Sequence, residues 1–205
     1  MPNKTPHNVL RYRERVIEKV RPYFTGKTAL DAGCGDGEDA SLISKYFSKV
    51  TAGDLEKNPR WEEFKSKKVS FIVSNAEKLK FKNNAFDTVI EKDMLHHASD
   101  PVKALKEMVR AAKKRVIVIE ANRYNPLFYV NLTLLGNHQH FTQKRFAEIV
   151  AAASQNYEIK HFSARVCPVN IPGFVSFFEK IEDALEKFPL YRPVIEYNLA
   201  VITKK

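Results

Sequence analysis

Ala29–Leu30–Asp31–Ala32–Gly33–Cys34–Gly35–Asp36–Gly37–Glu38 is the stretch from which the fold is read. A short apolar run from Thr28 to Leu30 leads into three glycines at alternate positions, and Asp39–Ala40–Ser41–Leu42–Ile43 then begins a helical pattern. The order is strand, tight turn, helix. Glycine is wanted here because the turn needs dihedrals closed to residues with a Cβ, and because a ligand can then lie directly against the backbone. The pattern is G-x-G-x-G, not the G-x-G-x-x-G of dinucleotide sites, so it offers close approach without an obvious pyrophosphate cradle. Asp31, two residues before the first glycine, is placed where an ammonium group would be welcome.

The next apolar run, Val50 to Gly53, ends at Asp54. An acid at this spacing, on the tip of the second strand of a βαβ unit, is placed to accept hydrogen bonds from ribose hydroxyls. Val69 to Val73 reads as a third strand, followed by Ser74–Asn75–Ala76–Glu77 and Leu79–Lys80–Phe81. A fourth, Phe86 to Glu91, ends where ligands gather in open α/β sheets, and Glu91, Asp93, His96 and His97 cluster there. One of the two adjacent histidines must point into the fold if the other points at a cleft. Asp100–Pro101 opens a helix expected to run to Lys113, with Val102, Leu105, Met108, Val109 and Ala112 on one stripe, and Arg115 to Glu120 is the fifth strand.

Taken in order, D-x-G-x-G-x-G, Asp54, the Ser74–Phe81 stretch and Phe86–Glu91 with Met94–Leu95–His96–His97 resemble the motifs of the class I S-adenosylmethionine-dependent methyltransferases, over roughly residues 25–150. The resemblance implies a three-layer α/β sandwich: a seven-stranded, mostly parallel Rossmann-like sheet with one antiparallel strand and helices on both faces. It implies S-adenosylmethionine as cofactor and S-adenosylhomocysteine as product. Asp31 and the loop Gly33, Cys34, Gly35 and Gly37 would hold the methionine end, Asp54 the ribose, and Leu55, Asn75 and Ala76 the adenine. Glu91 would face the cofactor, through its backbone alone in one reading. Asn75 stands where the family usually has aspartate, at the loss of one charge; its amide oxygen can still accept from the adenine amino group. A general base is needed only if the acceptor must lose a proton. His96, by resemblance the cleft histidine, is the first candidate and His140 the second. No N-P-P-[YF] tetrapeptide follows strand four, which argues against the branch that methylates amino groups of adenine or glutamine.

The 205 residues are expected to form one domain. Cys34 and Cys167 form no metal-type pair and no disulfide framework, and read as reduced thiols. No apolar run approaches the roughly 18 residues of a membrane span, and Met1–Pro2–Asn3–Lys4 is polar with no apolar h-region behind it, so a cytoplasmic location is expected. The net charge of +10 permits an RNA partner. Yet the lysines are scattered, with Lys67–Lys68 and Lys113–Lys114–Arg115 the densest groups, which suits a solvated basic surface.

The flanks carry the individual features. Val9, Tyr12, Val16, Ile17 and Val20 predict a helix over 9–24 whose stripe packs on the sheet, with Tyr12 in the core or at the substrate mouth. Arg11, Arg13, Glu14, Arg15 and Glu18 are expected to face away. Trp61 reads first as a packing residue. Residues 121–141 hold an apolar run, 127–135, suited to be a lid over a small apolar or aromatic acceptor, to touch lipid, or to complete the core or a dimer face. Tyr124 and His140 are candidate cleft residues. His138 and His140 with His96 and His97 invite a metal reading, but the H-x-H sits on a loop and no third-ligand spacing is evident, so no metal is expected. Thr142 caps a helix, Tyr157 to Cys167 is a strand, Phe174 to Phe188 a helix, and Glu196 to Thr203 the last strand. Three other functions compete with a small-molecule methyltransferase: an RNA methyltransferase, a non-catalytic cofactor-binding scaffold subunit, and a nicotinamide dehydrogenase, the last disfavoured by the displaced third glycine.

Overall fold

The computed structural model describes residues 5–126, 129, 140–165 and 174–204. Seven strands form one sheet: β1 (Thr28–Ala32), β2 (Lys49–Asp54), β3 (Val69–Val73), β4 (Phe86–Lys92), β5 (Ala112–Ala121), β6 (Tyr157–Phe162) and β7 (Tyr197–Thr203). Their order is β3-β2-β1-β4-β5-β7-β6. β1 pairs parallel with β2 and β4, β2 with β3, and β4 with β5, while β7 runs antiparallel between β5 and β6. The central strands are almost continuously apolar because both faces are covered. Leu30, Val89, Val116 and Ile119 are all fully buried.

One face packs against α1 (His7–Val20), α2 (Glu38–Ile43) and α3 (Trp61–Phe64), with Val16, Val20, Ala40, Ile43 and Trp61 set on Ala29, Val50, Ile117 and Leu199. The other carries α4 (Pro101–Ala111) and α5 (Gln143–Ala153), with Leu105, Met108, Phe146 and Ile149 on Leu30, Val89, Val118 and Ile202. The three layers and the single antiparallel strand are those expected. The caps are local: the Asp100 carboxylate accepts from Lys103 N–H at 2.9 Å and the Thr142 hydroxyl from Arg145 N–H at 3.1 Å. Trp61 packs, as expected, 4% exposed and stacked on Phe71.

Several boundaries differ from the sequence reading. α1 stops at Val20, and a single 3-10 turn, Arg21–Tyr23, finishes the segment at Pro22. α4 stops at Ala111 and β5 starts at Ala112, so helix and strand join with no turn where Lys113 had been given to the helix. β6 ends at Phe162, five residues short of Cys167, which lies outside the described residues. The charged face of α1 does not simply meet solvent. Arg15 is 4% exposed and pairs with Glu179 at 3.1 Å and Asp183 at 2.8 Å on α6 (Phe174–Leu185). Most of 127–139, with the expected apolar lid and His138, lies outside the described residues. No helix among the described residues is long and apolar enough to cross a membrane.

Candidate functional site

A cleft of about 610 Å³ opens at the C-terminal ends of β1, β2, β3 and β4. Its wall is built strand by strand: Gly33–Asp36 after β1, Asp54 and Leu55 at β2, Ser74–Glu77 after β3, and Lys92–Met94 with His97–Ser99 after β4. Arg13 from α1 and Asp39 from α2 close the rim.

The glycine loop divides its work between two positions. Gly33 has φ +81°, and a Cβ there would stand 2.1 Å from Cγ of Met94. Its N–H donates to the Gly53 carbonyl at 2.7 Å, tying the loop to β2. Gly35 has φ +51°, and nothing lies within 4 Å of where its Cβ would be, so the backbone there is bare to the cleft. Behind the loop, Nε1–H of Trp61 donates to the Gly35 carbonyl at 2.9 Å.

Asp54 is held by both oxygens: Oδ2 accepts from Gly35 N–H at 2.8 Å and Oδ1 from Leu55 N–H at 2.7 Å. Each oxygen keeps a lone pair for a further donor. Leu55 is 63% exposed, an apolar side chain left uncovered at the cleft wall. Asn75 uses its amide oxygen locally, accepting from Glu77 N–H at 2.7 Å to cap the turn Ala76–Lys78. An adenine amino group would have to share that oxygen.

Charge along the rim is balanced by residues the sequence reading did not place there. Arg13 reaches Asp36 at 3.0 Å and Asp39 at 3.4 Å, and Arg60 reaches Asp36 at 2.7 Å. Lys92 stands between Asp39 at 3.4 Å and Asp93 at 3.3 Å. Burial works against its ammonium, but the two carboxylates prevail and hold its pKa above the usual lysine range. Asp31 is buried under this rim. Loss of water, and then repulsion from Asp39, raises its carboxyl to about 8. Burial likewise raises the Cys34 thiol well above its ordinary value, so it is an inert thiol at neutral pH.

A second cluster stands behind the end of β4. Glu91 and Glu120 are both fully buried. Glu91 staples β4 to β5, its two oxygens accepting from Met94 N–H at 3.2 Å and Ile119 N–H at 3.1 Å. Glu120 meets Nδ1 of His96 at 2.7 Å, and the centre of the His96 ring lies 4.2 Å from that of His140, the two planes tilted by 54°. Burial pushes both carboxyls well up, Glu91 further through its charge neighbour Glu120 and Glu120 through Asp93, and pushes the His96 imidazole down.

Of the ten residues expected to bind cofactor, Gly33, Cys34, Gly35, Asp54, Leu55, Asn75 and Ala76 line the one cleft. Asp31, Gly37 and Glu91 are not on its wall: Asp31 lies beneath it, Glu91 is the staple, and a Cβ at Gly37 would meet the Phe71 ring at 2.6 Å. The two histidines exchange their expected places. His97 lines the cleft, whereas the His96 side chain is 3% exposed and turned to Glu120. Tyr12 is a core residue, its hydroxyl 3.0 Å from that of Tyr197, and Tyr124 is 58% exposed away from the cleft wall. The spacing argument against a metal set does not survive folding, since Glu120 on β5 joins His96 and His140. The sequence did hold a signal for Glu120 and Lys92: each is a charge ending a strongly apolar strand.

Residues 30–119 match the family model for the methyltransferase domain. The match spans 90 of the chain's 205 residues. A phosphoethanolamine N-methyltransferase 2 of Caenorhabditis elegans is 28% identical over 106 residues, covering 48% of this chain but only 24% of that protein, so the match spans about a quarter of that relative. A demethylmenaquinone methyltransferase of Staphylococcus aureus is 26% identical over 180 residues, 84% of this chain and 73% of that one. The fold is that of a crystallised S-adenosylmethionine-dependent methyltransferase from Archaeoglobus fulgidus, with a TM-score of 0.66 at 19% identity over 94% of each chain.

Proposed function

We propose that this methyltransferase holds S-adenosylmethionine in the cleft along β1–β4 and transfers its methyl group to an oxygen, nitrogen or carbon of a small apolar or aromatic acceptor. The observation that carries the reading is the pairing of bare backbone at Gly35 with a carboxylate pinned by Gly35 and Leu55, in one cleft. Asp54 is fixed before any ligand arrives and offers two lone pairs to a ribose diol. Leu55 gives an apolar surface for adenine, Asn75 and Ala76 edge it, and the Gly33–Gly35 backbone leaves room for the methionine end. Asp31 answers the methionine ammonium from beneath the loop. Bound there, the cofactor supplies an electrophilic methyl on sulfur and departs as S-adenosylhomocysteine. The protein's part is to bind, to align acceptor and methyl in line, and to exclude water.

Residues 121–141 are proposed as the lid of a single domain, placed after β5 where the strands end. His96 and His140, tilted against each other beside Glu120 and one ring behind the cleft-lining His97, are the proposed pair for drawing a proton, by way of His97, from an acceptor that must shed one. The apolar run at 127–135 and the similarity to a demethylmenaquinone methyltransferase over 84% of the chain favour an aromatic acceptor over a charged one.

Calorimetric titration with S-adenosylmethionine and S-adenosylhomocysteine tests the cofactor half. Micromolar binding of either, roughly −8 kcal/mol, is expected in the native protein and at least a tenfold loss in Asp54→Ala. Absence of binding to both ligands overturns the reading and leaves a scaffold subunit. Turnover of naphthoquinols but not of phosphoethanolamine is the expected outcome for the acceptor.

A further inference from the structure

Among the described residues, one set of three brings metal-ligating atoms together: His96, Glu120 and His140, whose ligand atoms all lie within 4.8 Å of one another. They come from three separate places, the turn after β4, the penultimate residue of β5 and the approach to α5, so no local motif explains their meeting. All three side chains are buried: His96 3%, Glu120 fully, His140 6% exposed. We propose that these three residues bind one divalent transition-metal ion of the zinc class at the ends of β4 and β5.

Two imidazoles and one carboxylate suit zinc and its neighbours, whereas magnesium and calcium prefer oxygen ligands. Metal–ligand bonds of about 2.0–2.2 Å at tetrahedral angles set donor atoms roughly 3.3–3.5 Å apart. On binding, atoms now within 4.8 Å of one another would have to close to this spacing, and His96 Nδ1 and Glu120 Oε2 to part from 2.7 Å as the ion replaces their direct contact. The backbone already orients the carboxylate, since Oε1 of Glu120 accepts from His96 N–H at 3.3 Å.

Three protein ligands leave a fourth position open. The ring of His97, which lines the cleft, is 4.0 Å from that of His96, so the ion stands one ring behind the cleft wall. A water in the fourth position would give up its proton more readily than free water, and the hydroxide so formed could take a proton relayed through His97 from an acceptor in the cleft. This last step rests on the methyl-transfer reading above; the binding of the ion does not.

The test uses the whole chain, stripped with a chelator and titrated with zinc chloride by calorimetry and with cobalt(II) chloride by visible absorption. One ion per chain is expected, with the intense visible bands of tetrahedral cobalt. His140→Ala and Glu120→Gln should each weaken zinc binding at least 100-fold. Asp54→Ala should lose S-adenosylmethionine and keep the ion, which separates failure of this site from failure of the cofactor site. Circular dichroism establishes that each variant is folded, and His140→Ala, next to a helix cap and off the sheet, decides the matter if Glu120→Gln does not fold. No stoichiometric ion in the native chain, or zinc bound equally well by His140→Ala, overturns the proposal and leaves a hydrogen-bonded His–Glu pair with a second imidazole tilted against it.

Discussion

Asp31, 4% exposed at the heart of β1, stores a pH dependence. Its carboxyl titrates near 3.8 in an unfolded chain and about 8 in the folded one, because burial and Asp39 disfavour the charge. The folded state therefore holds the proton more tightly than the unfolded state across that window. Stability falls as pH rises from about 4 to about 8 and levels off above it. In urea unfolding at pH 5 and pH 9, Asp31→Asn should shrink the loss between the two by about 4 kcal/mol relative to the native chain. Parallel losses in both would show that another group titrates. The glycines give a second contrast. Gly33→Ala drives a Cβ into Met94 from a left-handed backbone and should cost about 2 kcal/mol or more in stability. Gly35→Ala meets nothing in the protein, so it should cost only about 1 kcal/mol, yet it fills the space over the bare backbone. Thermal melts should therefore rank Gly33→Ala below Gly35→Ala, while calorimetry should find S-adenosylmethionine binding weakened at least tenfold in Gly35→Ala. These positions were legible because the motif is local: strand, glycines and acid lie within 27 residues, from Thr28 to Asp54.

Helices are where the sequence reading was half right. The apolar stripe of α1 is where periodicity puts it, with Val16, Ile17 and Val20 buried. Its opposite face was unreadable because its partners lie 168 residues away: Arg15 meets Asp183 and Arg11 meets Glu179 on α6. A charge run with no visible partner looks like a solvated face. Arg15→Ala removes the buried cation of this network, while Glu179 keeps Arg11 and Asp183 keeps Lys19, and should cost about 1–2 kcal/mol in chemical denaturation. A double-mutant cycle with Asp183→Ala should return about 1 kcal/mol of coupling, and additive losses would show that the pair contributes nothing. The same blindness to distance hid Arg13, Lys92 and the Glu120–His140 meeting. It did not hide Gly33, Gly35 or Asp54. The choice between His96 and His97 needed three-dimensional information of another kind: adjacent side chains on a 3-10 turn, Leu95–His97, point different ways, and only the buried Glu120 fixes which turns in. The α4–β5 junction misled because Ala112 fits the apolar stripe of a helix as well as it fits a strand.

At the scale of the molecule, the sheet sets a gradient of stability. β5 lies between β4 and β7 with helices on both faces, and Val116 to Ile119 are all fully buried. β6 is an edge strand whose Tyr157 is 39% exposed. Native-state hydrogen exchange should find the slowest amides at Val116–Ile119 and measurably faster ones along Tyr157–Phe162. Equal protection would mean that the sheet opens only as a unit. The placing of β7 between β5 and β6 has a consequence on the ribosome. β6 is synthesised before the strand that joins it to the sheet, and 75 residues separate the end of β5 at Ala121 from the start of β7 at Tyr197. At the usual pace of elongation that is roughly 4–15 seconds in which a nascent chain shows β5 without its antiparallel neighbour. During that interval the apolar rim of β5 is the surface a chaperone would have to guard.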